Sequence, residues 1–246
     1  MSVPHPVVLV PGLGGAAAEW DPVVDALGTA GVDRVVAVEL PGHGSRRDED
    51  FGWGSAQDAV RDAAAAVEEP VLLVGRGVGA HAAIAAARAA GSAGSAAGSA
   101  GSAGSAASSF EVAGVVALGI GTETLGWFVD SYRVSSAVSA LLPDRGLGVG
   151  GLAGQTFAGR AGDGGAGRLT AAALDEVQAF DVRAALRDIP APFVLVNGSR
   201  DRFRLQERAL LAASGSGRLQ RVRGAVFADR LDHHAEVAEI LAAAAG

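Results

Sequence analysis

Val71-Leu72-Leu73-Val74-Gly75-Arg76-Gly77-Val78-Gly79-Ala80-His81 runs from an apolar strand through three alternate glycines into a helical pattern. The layout is a strand, a sharp turn and a helix, as in the bend G-x-S-x-G that lifts a serine hydroxyl clear of a sheet. The middle position here is Gly77, which has no oxygen to attack a carbonyl, yet Gly75 and Gly79 still leave the turn the room it needs. The bend is kept and the nucleophile is gone.

The same alternation extends both ways. Upstream, Val7-Val8-Leu9-Val10 is a continuous apolar run suited to the middle of a parallel sheet, and it ends in Pro11-Gly12-Leu13-Gly14-Gly15. A helix follows through Leu27, with Asp21 as N-cap, Pro22 in its first turn and Gly31 beyond its end. Residues 35–38 form the next strand and lead into Glu39-Leu40-Pro41-Gly42-His43-Gly44. Residues 55–67 have helical spacing, with Ser55 as cap.

Downstream of the bend an alanine-rich helix reaches about Ala90. Residues 91–109 then hold five near-repeats of Gly-Ser-Ala, which cannot bury enough surface to offset ordering entropy and are expected to form a mobile, functionally silent surface loop. The strand at 112–118 resumes the pattern. Residues 119–170, with Trp127, Phe128 and Tyr132 inside a long strand-to-helix connection, read as a cap over the active face. A helix ending near Asp188, a strand at 193–196, the turn Asn197-Gly198-Ser199-Arg200-Asp201, a helix at 205–213, a strand at 219–222 and a last helix from about His233 complete one 246-residue domain. Six strands alternating with helices give an α/β fold: an open, mostly parallel sheet with helices on both faces and ligands at the carboxyl ends of its strands.

Composition removes whole classes of chemistry. There is no cysteine, hence no disulfide framework, thiolate nucleophile or two-thiol racemase chemistry. There is no lysine, hence no Schiff base to pyridoxal phosphate and no Walker A loop. A net charge of -7 argues against a grip on nucleic acid. No run approaches the ~20 apolar residues of a membrane span, and the start lacks a secretory leader, so a cytoplasmic location is expected.

Taken together, Leu-Val-Pro-Gly-Leu-Gly-Gly, Glu-Leu-Pro-Gly-His-Gly, the glycine bend and Gly-Ser-Arg-Asp, in this order, resemble the α/β-hydrolase fold family over nearly the whole chain. The resemblance puts Gly77 at the nucleophile position, Asp201 at the acid position and Val226 or Phe227 where the base histidine belongs. It also puts the oxyanion donors at the backbone amides of Leu13 or Gly14 and of Val78. On that resemblance an acyl-enzyme route is not expected, while the amide half of the machinery is retained.

Several of the remaining polar residues allow two readings. His43 either lines the pocket rim, donating a hydrogen bond or taking a proton, or only shapes its turn. His81, one helical turn past Gly77, reads as a packing or supporting residue. His233 and His234 read as helix-terminal. Asp201 is either a base or the partner of Arg200, Arg202 or Arg204. Gly12-Leu13-Gly14-Gly15-Ala16-Ala17 also fits a dinucleotide fingerprint, with Glu39 as its ribose ligand.

A hydrolase-like chain with these positions erased resembles the atypical α/β-hydrolase-fold peptide epimerases of bottromycin biosynthesis. That resemblance implies substrate-assisted inversion of an aspartate α-carbon beside a thiazoline in a modified macrocyclic peptide, with no cofactor and no metal. The contacts expected for the peptide are Leu13, Gly14, Leu40, His43, Gly77, Val78, Trp127, Phe128, Tyr132, Val226 and Phe227. The competing reading is a non-catalytic binding protein for a hydrophobic peptide or product.

Overall fold

The computed structural model describes residues 3–96, 110–121, 171–227 and 230–246, without the side chains of 93–96, 171, 202 and 203. Its sheet has six strands: β1 (Val7–Val10), β2 (Val35–Ala37), β3 (Val71–Arg76), β4 (Val112–Leu118), β5 (Phe193–Gly198) and β6 (Arg218–Val222). They lie in the order β2-β1-β3-β4-β5-β6, and every described pairing is parallel. The chain winds outward from β1 to β2, then returns across β1 to place β3 on the other side. The crevice between the carboxyl ends of β1 and β3 is therefore the switch point where ligands bind in such sheets.

Strand side chains alternate between two cores. Val8, Val10, Leu73, Val115, Ala117, Phe193 and Leu195 face one side, under α2 (Trp53–Ala65), α3 (Val78–Ala96), α4 (Ala171–Ala179), α5 (Val182–Arg187) and α6 (Glu207–Ser214). Val7, Leu9, Leu72, Val74, Val116, Leu118, Val194 and Val196 face the other, under α1 (Asp21–Thr29) and α7 (His234–Ala245). The period of two is masked in the sequence because both faces are covered, so both sets are apolar.

Several expected boundaries are corrected. The N-cap of α1 is Trp20, with no side-chain hydrogen bond; Asp21 is the first helical residue, where its charge meets the positive end of the helix dipole. Helix α2 starts at Trp53, and Ser55, inside the first turn, donates Oγ–H to the Gly52 carbonyl at 3.0 Å instead of capping. Helix α3 continues to Ala96, so the first six residues of the Gly-Ser-Ala tract are helical and not a loop. Alanine's propensity carries the helix on, and Ser92 Oγ–H bonds back to the Arg88 carbonyl at 3.1 Å. Residues 97–109 of the tract, and the expected cap from 122 to 170, lie outside the described residues.

The helix expected to run to Asp188 is two helices, α4 and α5, broken where Asp181 caps α5 by accepting the Arg183 and Ala184 amides, both at 3.0 Å. His233 is the cap of α7 and sits in the left-handed region at φ 54°.

Candidate active site

The bend between β3 and α3 explains its three glycines separately. A Cβ on Gly75 would stand 2.5 Å from the Ala80 backbone, and one on Gly79 would overlap the Pro11 carbonyl. Only hydrogen fits at either position. Gly77 has φ +53°, but among the described residues a Cβ there would meet nothing within 4 Å. No described residue fills the space a nucleophile's side chain would occupy. Val78, next in sequence, is the first residue of the 19-residue α3, so its amide is one of the unsatisfied donors of a helix N-terminus.

Arg76, immediately before the bend, is 8% exposed. It grips Glu19 through two hydrogen bonds, Nε to Oε1 at 3.2 Å and Nη2 to Oε2 at 2.8 Å. Glu19 Oε1 also accepts the Gly12 amide at 3.0 Å, and Arg76 Nη1 reaches the Phe227 carbonyl at 3.4 Å. One guanidinium thus joins the loop after β1, the bend after β3 and the loop after β6. Sequence reading missed this pair; the available signal was an arginine between two glycines at a buried strand end, which demands a carboxylate partner.

His43 is 1% exposed, so it is no rim residue. Its Nδ1–H donates to the Pro41 carbonyl at 2.8 Å, which leaves Nε2 to accept the Gly14 amide at 2.9 Å. Burial lowers its pKa, against the opposing pull of the Pro41 backbone, Glu39 and Glu19, and holds the ring neutral. Of its two readings the structure carries the turn-shaping one. It also corrects the expectation for Gly14: that amide is spoken for, whereas the Leu13 and Val78 amides form no hydrogen bond with described residues.

Asp201, 4% exposed, spends Oδ2 on the Gly198 amide of its own turn at 2.5 Å. At the base position Val226 is half-buried, and Phe227 is fully enclosed in the core that holds Trp20. Leu40 is likewise fully enclosed, in the opposite core. Trp127, Phe128 and Tyr132 lie outside the described residues.

His81 is buried on the first turn of α3. Its Nδ1–H donates to the Gly77 carbonyl at 2.9 Å, its ring stands edge-on to Phe180 at 6.2 Å, and the Gly121 backbone also faces the ring. Burial lowers its pKa to about 4, with the Gly77 and Gly121 backbones pulling more weakly the other way. His233 is partly exposed beside Asp232 and Glu236 at the start of α7, as its helix-terminal reading requires.

The dinucleotide reading meets an electrostatic obstacle. Glu19 holds the Gly12 amide, and Glu39 holds the Ala17 amide at 3.0 Å and the Ser45 amide at 3.3 Å. Carboxylates occupy the donors a pyrophosphate would need, and Glu39 is spent within its own loops. Among the described residues no group of three or more His, Asp or Glu is placed to hold a metal ion.

An open parallel sheet, a glycine bend at its switch point, an amide-bearing loop after β1 and an acid after β5 are the frame of an α/β hydrolase. The family model described as alpha/beta hydrolase family matches residues 7–243, and the chain belongs to that family. Its fold is similar to that of BpoC from Mycobacterium tuberculosis (TM-score 0.65, 17% identity, 96% of this chain and 90% of that one). It is also similar to NosK from Streptomyces actuosus (0.62, 21%, 98% and 99%) and to BorB, a type II thioesterase from the borrelidin biosynthetic cluster (0.61, 18%, 100% and 92%). No protein of curated function matches.

Proposed function

We propose that this chain is an enzyme that works without a protein nucleophile or a cofactor, as an epimerase of a modified peptide. The observation that carries the reading is Gly77: no described residue fills the space where a serine side chain would stand, and the donor amides beside it are kept. A similar fold from a biosynthetic cluster, that of the type II thioesterase BorB, agrees with a role of this kind.

The chemistry needs an acidified C–H, a base and a place for negative charge. In an aspartate beside a thiazoline, the ring C=N acidifies the α-proton. The side-chain carboxylate of the same residue takes that proton, and the electron pair of the C–H bond moves into the conjugated C–C=N unit. Charge on the thiazoline nitrogen is then stabilised by the Leu13 and Val78 amides, which were already oriented before the reaction began. Return of the proton to the opposite face inverts the centre, and no atom is gained or lost. The protein's own task is positioning and exclusion of water.

One observation favours the second reading, a binding protein. Both ring nitrogens of His43, both carboxylate oxygens of Glu19 and Oδ2 of Asp201 are spent within the fold. A single epimer of an aspartyl-thiazoline peptide, incubated with the protein and followed by chromatography, separates the two. Appearance of the other epimer, proportional to protein, supports the epimerase. Saturable binding with the epimer unchanged supports the binder and overturns the first reading.

A further inference from the structure

The arginines are not spread evenly along this chain. Residues 200–223 hold seven of the twenty, against two of the twenty-seven carboxylates. Both of those carboxylates are buried and used. Asp201 Oδ2 takes the Gly198 amide at 2.5 Å, and Glu207, 2% exposed, accepts from Asn197 Nδ2 at 3.2 Å and from Arg221 Nη2 at 2.7 Å. Arg200, Arg204, Arg208, Arg218, Arg221 and Arg223 are all exposed. Of these six only Arg221 has an ion-pair partner among the described residues. Arg34, Arg46, Arg61, Arg88 and Arg230 each meet a carboxylate on the surface, whereas along this stretch positive charge is left over.

The fold gathers that charge on one edge. Strand β6 ends the sheet and, among the described residues, pairs only with β5. Arg218 opens β6, Arg221 lies within it and Arg223 follows it. Gly198 stands in register with Val222, and the Ser199 amide bonds the Val222 carbonyl at 2.8 Å, which places the turn that carries Arg200 beside Arg223. Arg204 Nη1 donates to the Ser199 carbonyl at 3.2 Å and so brings its charge to the same turn. Next in sequence is Leu205, which at 96% is the most exposed of the described large apolar side chains.

Like charges along an edge strand keep a second copy of the same edge from pairing with it, and leave it open to a chain of opposite sign. Arginine is favoured at protein interfaces, and the backbone of an edge strand pairs with another backbone. We propose that the β6 edge docks an acidic, extended segment of a partner protein, its carboxylates meeting the arginines and its backbone running along β6. The inference goes beyond the chemistry proposed above and does not depend on it.

The test uses the full chain and a labelled synthetic peptide of alternating glutamate and valine, with a counterpart carrying lysine for glutamate and a DNA duplex as comparisons. Fluorescence anisotropy should show saturable binding of the acidic peptide that weakens as salt is raised, and exchange of the β6 amides should slow in the complex. Arg218→Glu and Arg223→Glu, neither of which breaks a described ion pair, should each weaken binding about fivefold. Arg47→Glu makes the same change of charge at an exposed site after β2, on the opposite edge of the sheet, and should leave binding within about twofold. The inference is overturned if the acidic peptide does not bind, if β6 exchange is unchanged in the complex, or if the duplex or the lysine peptide binds as tightly. It is equally overturned if the edge variants lose no more than the control. Self-association of the free protein that either edge variant abolishes would make the occupant a second copy, and would overturn it too.

Discussion

The Arg76 guanidinium and the Glu19 carboxylate form a two-bond ion pair directly beneath the glycine bend, with side chains only 9% and 17% exposed. The pair sets the position of the loop after β1 relative to α3, and so the placement of the two amides on which the proposed chemistry depends. Removing one partner strands the other charge away from water, whereas removing both strands none.

Glu19→Ala is therefore expected to cost about 3–5 kcal/mol, read as a lower urea midpoint, while the double replacement Glu19→Leu, Arg76→Met recovers much of that loss. Additive effects of the two single replacements would contradict the pairing.

The three glycines of the bend are expected to respond differently. Gly79→Ala drives a methyl into the Pro11 carbonyl and Gly75→Ala into the Ala80 backbone, so both should fail to fold or lose several kcal/mol. Gly77→Ser meets no atom of the described residues and carries the strain of φ +53°, about 1–2 kcal/mol. Circular dichroism melts of the three variants separate a steric origin, which gives this order, from mere glycine flexibility, which would make them alike.

Two buried histidines make stability depend on acid. His81 has its pKa lowered to about 4 and His43 is lowered as well, both by burial, so the unfolded chain binds protons that the native one does not. Their contribution is complete above the ordinary histidine pKa and is lost as pH falls from about 6.5 toward 4, on the order of 3 kcal/mol for His81. Denaturant unfolding at several pH values should show that slope, and His81→Phe should flatten it. An unchanged slope in the variant would mean that His81 takes up its proton in the native state.

Acid also acts on His43 locally. A proton on Nε2 replaces the acceptor that holds the Gly14 amide with a second donor, so the loop after β1 should loosen before the sheet unfolds. Hydrogen exchange at Gly14 rising ahead of exchange in β3 would show it.

Much of the fold was legible because its signals are local. Apolar runs ended by Pro11-Gly12, Pro41-Gly42 and the Gly75–Gly79 bend mark strand ends without knowledge of the rest. Helix ends were less legible. Asp21 and Ser55 look like caps, yet Trp20 and Gly52 hold those positions, because tertiary packing set where each helix began. The helical start of the Gly-Ser-Ala tract was hidden by its glycines, whose local cost is outweighed by continuation from an already formed α3. At the site, the bend and Asp201 could be placed from sequence. The roles of His43, Glu19 and Arg76 could not, since each depends on a partner 29 or 57 residues away.

The most direct measurement is incubation of the pure protein with the aspartyl-thiazoline peptide in deuterium oxide, followed by mass spectrometry of both peptide and protein. One deuterium should enter the peptide at the aspartate α-carbon, with protein mass unchanged and no label from a fluorophosphonate that marks serine nucleophiles. A peptide cleaved without deuterium at that carbon, or a protein carrying a covalent acyl or phosphonyl adduct, would contradict a mechanism that dispenses with the nucleophile.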